Sequence, residues 1–163
     1  MDSNSQPYSF TVVRPEYYCF TTDSGDEYEC TFMSYREFFI NYPDIASRFF
    51  VFNLNLVNPP VKQRGSDKRI AATVTGIVLE FLLSKVNAVV YVCDPGDGRA
   101  AVRARKFKSW YQYFEHSKKI IRLNTEFKAG GMKFYTAMFV HKHNKLKKRF
   151  IQAYLEFAKD DNK

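Results

Sequence analysis

Two periods alternate along this chain. Ser9–Val13, Tyr17–Thr22 and Glu27–Met33 are short runs rich in Tyr, Phe, Thr and Val, residues that suit a pleated surface, and they predict three strands. DSGD (Asp23–Asp26) between the second and third has turn chemistry and predicts a hairpin. Tyr35–Ser47 fits neither period; SYREFF suits a short helix whose length Pro43 limits. From Phe49 to Leu56, Phe50, Phe52, Leu54 and Leu56 alternate with Val51, Asn53 and Asn55, which predicts a strand with one buried face.

The period then changes. Two prolines make Asn58–Ser66 a loop, and Ser66 or Asp67 is placed to cap a helix. Ile70, Val74, Ile77, Val78, Phe81 and Leu82 fall on one face of that helix. AVVYVC (Ala88–Cys93) is apolar at every position, as in a strand buried on both sides. A second helix follows from Ala100 to about His116. Strands Ile120–Phe127 and Met132–His141 are joined by the glycine-bearing loop KAGG. Asn144 caps a last helix with Leu146, Phe150, Ala153, Tyr154 and Phe157 on one side. The order β-β-β-β-α-β-α-β-β-α predicts an α+β fold: a mixed sheet covered by helices, with a right-handed parallel crossover at its centre.

With 163 residues the chain fits one domain, expected over residues 8–158 with flexible ends at 1–7 and 159–163. A composition 45% hydrophobic and 26% charged is globular, and 17% aromatic residues supply much of the core area. Cys19, Cys30 and Cys93 form no CxxC and no even-numbered framework, so they read as small buried hydrophobes. The N-terminus has no leader pattern and no apolar run reaches membrane-spanning length, so the expected location is the reducing cytoplasm, with no membrane partner.

Charge sharpens the picture. Residues 1–81 hold 7 Lys/Arg against 10 Asp/Glu, whereas 82–163 hold 18 against 7. Such asymmetry suits a nucleic-acid or acidic-protein partner, or simply solubility. The most pointed stretch is CDPGDGRAAVRARKFKSW (Cys93–Trp110), which passes from the buried strand into the second helix. Gly96, Gly98 and Ala101 fit G-x-G-x-x-A, but no acid closes a second strand about 20 positions on, so no cofactor is expected. Asp94 and Asp97 suit a divalent metal, yet DPGD is also turn chemistry and Asp97 is a natural N-cap, which is the favoured role. On the helix, Arg99, Arg103, Lys106 and Trp110 share a sector beside the apolar stripe Ala100, Ala104, Phe107, Tyr111 and Phe114. Arginines beside an indole suit phosphate and a stacked base.

A second basic group, Lys145, Lys147, Lys148 and Arg149, opens the last helix, where the helix dipole disfavours cations unless an anion is nearby. His141 and His143 lack a third metal ligand and read as solvated. Nothing in the spacing supports a nucleophile elbow or a Cys–His pair.

The pattern YxFTTDSGDEYxCxF (Tyr18–Phe32), the helix before VVYVCD, and D-x-x-D-G-R-x-x-x-R-x-x-K-F-x-x-W together resemble a family of small uncharacterised bacterial proteins, a domain of unknown function of Bacteroidetes type. The resemblance runs from about Tyr8 to Phe157 and brings no catalytic residues with it. The first expectation is a non-enzymatic binding protein using Arg99, Arg103, Lys106, Trp110 and the Lys145–Arg149 cluster on nucleic acid or an acidic protein. The alternatives are a metal-dependent nuclease or phosphotransfer domain built on Asp94 and Asp97, and a structural or oligomerising module.

Overall fold

The computed structural model describes residues 6–58, 67–115 and 118–159, with only the backbone for 112–115. Seven strands form one sheet: β1 (Phe10–Arg14), β2 (Tyr17–Thr21), β3 (Glu27–Ser34), β4 (Phe49–Leu56), β5 (Ala88–Cys93), β6 (Ile120–Ala129) and β7 (Met132–His141). Three helices accompany it: α1 (Lys68–Leu82), α2 (Ala100–Glu115) and α3 (Lys147–Lys159). The predicted order therefore holds. The ambiguous stretch before β4 resolves into two short 3-10 turns, Arg36–Phe39 and Ala46–Arg48.

Across the sheet the strands run β1-β2-β3-β4-β5-β7-β6. Within it, β4 and β5 are parallel and the remaining neighbours antiparallel. The parallel pair is the crossover through α1 that the pattern predicts, and the two hairpin groups flank it. Turn chemistry closes the hairpins; Gly25, at φ +89, adopts a conformation that a side chain would strain.

Because successive strand residues point to opposite faces, the sheet builds two cores. Phe32, Phe52, Val89 and Phe139 face α1 and α2; Phe49, Ala88, Val90, Met138 and Val140 face α3 and the 3-10 turns. Aromatic stacking dominates both layers. Phe32 lies 4.0 Å from Phe81 on the first side, and Phe39 lies 3.6 Å from Phe49 on the second, ring centre to ring centre.

Asp67 caps α1, accepting from the Arg69 N–H at 2.9 Å. Its other oxygen takes the Tyr8 hydroxyl at 2.5 Å, and the Tyr8 N–H donates to Thr73 Oγ1 at 2.8 Å. Gln6 joins this clasp through its carbonyl, which accepts from Arg69 Nε at 2.8 Å. Residues 59–66, including the other candidate cap Ser66, lie outside the described residues, as does the Phe114 side chain of the predicted α2 stripe. At the other end, Asn144 Oδ1 accepts from Leu146 N–H at 2.9 Å just before α3. Leu146 itself is exposed, so the buried side of α3 starts at Phe150 instead. No helix among the described residues is long and apolar enough to cross a membrane.

Candidate functional site

Pairing between β4 and β5 holds over only three positions, Phe49 to Ala88, Phe50 to Val89 and Val51 to Val90. Beyond them β4 continues through Leu56 and β5 through Cys93 without a shared ladder. On the α1–α2 face of the sheet, mainly over β5, β7 and β6, lies a cleft of about 570 Å³, a volume typical of small-molecule sites.

Six elements wall the cleft, with Phe52 from β4 and Thr136 and Phe139 among those from β7. α1 supplies Val74, Thr75 and Val78, and β5 supplies Val89, Tyr91 and Cys93. Facing them, α2 contributes Ala104, Arg105, Phe107, Lys108 and Trp110, while Arg122 and Asn124 rise from β6. The floor is aromatic: Tyr91 and Phe107 lie 4.2 Å apart, and Phe107 meets Trp110 edge-on at 4.6 Å.

Three cations border this apolar space, namely Arg105, Lys108 and Arg122. Glu126 is the one carboxylate among the described lining residues, and Lys133 holds it at 3.0 Å. Arg122 is the inner cation. Its guanidinium carbon sits 5.1 Å from the centre of the Tyr111 ring, and its Nε is buried with no hydrogen-bond partner among the described residues. Burial holds this guanidinium below its ordinary pKa, the direction expected of a cation lacking solvent. Cys93 donates to the Tyr91 hydroxyl at 2.7 Å, and burial raises its thiol pKa, which disfavours a thiolate.

The residues singled out in CDPGDGRAAVRARKFKSW separate. Asp97 accepts from the Arg99 N–H at 3.0 Å and pairs with the Arg103 guanidinium. Since α2 begins at Ala100 and Gly98 is at φ +74, Asp97 holds the turn ahead of the helix instead of the expected N-cap position. The backbone bond from Arg99, followed by Arg103, lowers the Asp97 pKa. Asp94 accepts from Gly96 N–H at 2.7 Å within the turn, and Gly98 takes φ +74 before the helix. No cluster of three metal-ligating side chains occurs among the described residues.

Trp110 departs from the expectation of an exposed indole. It is only 9% exposed and belongs to the core beneath α2, with Lys106 Nζ 5.5 Å from its ring centre. A base could not stack on it from outside. The angular sector it shares with Arg99 lies on the boundary of the apolar stripe, and packing against α1 and the sheet draws the large ring inward. Arg99 and Lys106 remain exposed; Arg103 is half-buried against Asp97 and the Asp94 carbonyl.

The second basic cluster lies elsewhere. α3 covers the opposite face of the sheet from α2, so Lys145, Lys147, Lys148 and Arg149 do not extend the α2 surface. Arg149 grips Asp44 at 3.0 and 3.1 Å and covers the Tyr42 ring, and Lys147 Nζ donates to the Lys142 carbonyl at 2.9 Å. His141 is buried, where solvation was expected. Its Nδ1 accepts from the His143 N–H at 3.0 Å, because β7 ends at His141 and the chain turns.

Sequence reasoning missed Arg105, Lys108 and Arg122. One signal for Arg122 was present: in β6, Arg122, Asn124 and Glu126 alternate with Leu123, Thr125 and Phe127, marking a polar strip on the face shared with α2.

Comparison with curated proteins finds no match. A family profile does match, over residues 66–156, and that stretch holds every described lining residue of the cleft except Phe52. The chain belongs to that family, described as a Family of unknown function (DUF6169).

Proposed function

We propose that this chain is a binding protein whose site is the cleft between the α1–α2 layer and the sheet, and that it takes a small organic ligand with a largely apolar body. The carrying observation is the aromatic-walled cleft that lies between α2 and the sheet over β5, β7 and β6. A binding role without catalysis suits the neutral state favoured for the Cys93 thiol and the structural engagement of Asp94 and Asp97. Three free cysteines suit a reducing compartment such as the cytoplasm.

Titration of the isotope-labelled protein with naphthalene-2-carboxamide, followed by backbone amide shifts, tests this reading. Saturable shifts should centre on Val89, Tyr91, Cys93 and Ala104, and the cleft-filling change Ala104→Leu should suppress them. Shifts scattered over the surface, or equal binding by Ala104→Leu, would overturn the assignment.

A second reading has its own observation. The sequence holds no acidic residue between Gly98 and Phe114, while Arg99 just before α2 and Lys106 on it are exposed and do not line the cleft. That pair favours a polyanion on the outer side of the helix, with the phosphate backbone of a nucleic acid as the partner and an acidic protein as the competing outcome.

A further inference from the structure

We infer that the cleft selects ligands carrying an anionic group, a flat apolar carboxylate in particular, and that Arg122 is the residue that holds the anion. This rests on the cleft being the binding site and adds the chemistry of its occupant.

Arg122 occupies a position that is costly for a cation without a counter-charge. Its Nε is buried and lacks a partner among the described residues, while its guanidinium lies against the Tyr111 ring. Buried polar groups ordinarily have hydrogen-bond partners, so the orphaned Nε leaves this guanidinium under-bonded. The accessible part of the half-buried side chain lines the cleft, where an anion can reach it. Among the described residues the cleft offers no substitute. Its one described carboxylate, Glu126, is held by Lys133, and Thr75 and Asn124 are neutral.

Charge and shape agree on the ligand. Arg105 and Lys108 stand on the α2 wall, so the field across the cleft is positive and draws an anion inward. A guanidinium presents a planar fork of donors that matches a carboxylate, and such charge-assisted bonds strengthen away from water. The rest of the volume is walled by Tyr91, Phe107, Trp110 and Phe139, which favour a flat ring over a flexible polar chain. Desolvation of the Arg122 guanidinium points the same way, since a bound anion restores what burial removes.

Calorimetry with naphthalene-2-carboxylate and its neutral carboxamide, which share shape, separates charge from apolar fit. Wild type should bind the carboxylate roughly tenfold or more tightly than the amide. Arg122→Gln should remove that preference while still binding the amide, and Arg122→Lys should keep part of it. Equal binding of the two compounds by wild type overturns the inference and leaves the cleft assignment standing. A preference that survives in Arg122→Gln also overturns it, by assigning the selectivity to Arg105 and Lys108. Binding of neither compound overturns both readings. If Arg122→Gln fails to fold, the wild-type Nε–H resonance of Arg122 decides: it must move downfield with the carboxylate and not with the amide, and a resonance that stays fixed with both refutes the role.

Discussion

His141 closes β7 with its ring buried and its Nδ1 accepting a backbone hydrogen bond, a geometry available only to the neutral imidazole. Burial, with Lys85, His143, Lys119 and Lys142 nearby, holds its pKa below the ordinary value. In the unfolded chain the group titrates near about 6.5. Below that pH the unfolded state takes up a proton that the folded state resists, so its contribution to stability is full above about pH 6.5 and declines as pH falls beneath it. Urea midpoints at pH 7.5 and 5.5 should therefore differ more in wild type than in His141→Gln; equal differences would refute the assignment. Some residue roles were legible beforehand. The structural roles of Asp94 and Asp97 follow from local turn chemistry, which needs only neighbours in sequence, although Asp97 holds the turn before α2 and not its N-cap. His141 and Trp110 were not, because their burial depends on where β7 ends and on what lies under α2.

At the scale of elements, the two basic helices occupy opposite faces of the sheet, which separates charges that the sequence places in one half of the chain. If the outer side of α2 binds a phosphate backbone, the effect of charge removal depends on the helix. Arg99→Ala with Lys106→Ala should reduce the slope of log affinity against log salt by about two on a single-stranded oligonucleotide. Lys145→Ala with Lys148→Ala should leave it nearly unchanged. Equal loss from both double variants would mean diffuse attraction, and no binding by wild type at low salt would favour an acidic protein instead. Helix and strand positions themselves were readable from period alone: α1, β5 and α3 fall where the apolar spacing puts them. Tyr35–Ser47 was not, since 3-10 turns are too short to show a period.

The whole molecule is tied together by strands that serve both cores. Val89 of β5 packs under α1, while its neighbours Ala88 and Val90 pack under α3; Phe139 and Met138 divide likewise on β7. Neither layer can lose its contacts without exposing the other, so unfolding should be one cooperative transition, with near-ultraviolet and far-ultraviolet dichroism coinciding. Two resolved transitions, or a stable protease fragment lacking residues 1–57, would contradict this.

Element order, the parallel crossover and the caps Asp67 and Asn144 could be read from the chain, because these depend on periodicity and on bonds between near neighbours. Where the cleft lies and which cations border it depend on how the elements dock. Arg122 on β6, Arg105 and Lys108 on α2 and Tyr91 on β5 converge through the strand order β5-β7-β6 and the docking of α2 on the sheet. Periodicity reports which side of an element is apolar; it carries no information about which other element that side meets, and a site assembled from six elements exists only once those meetings are fixed.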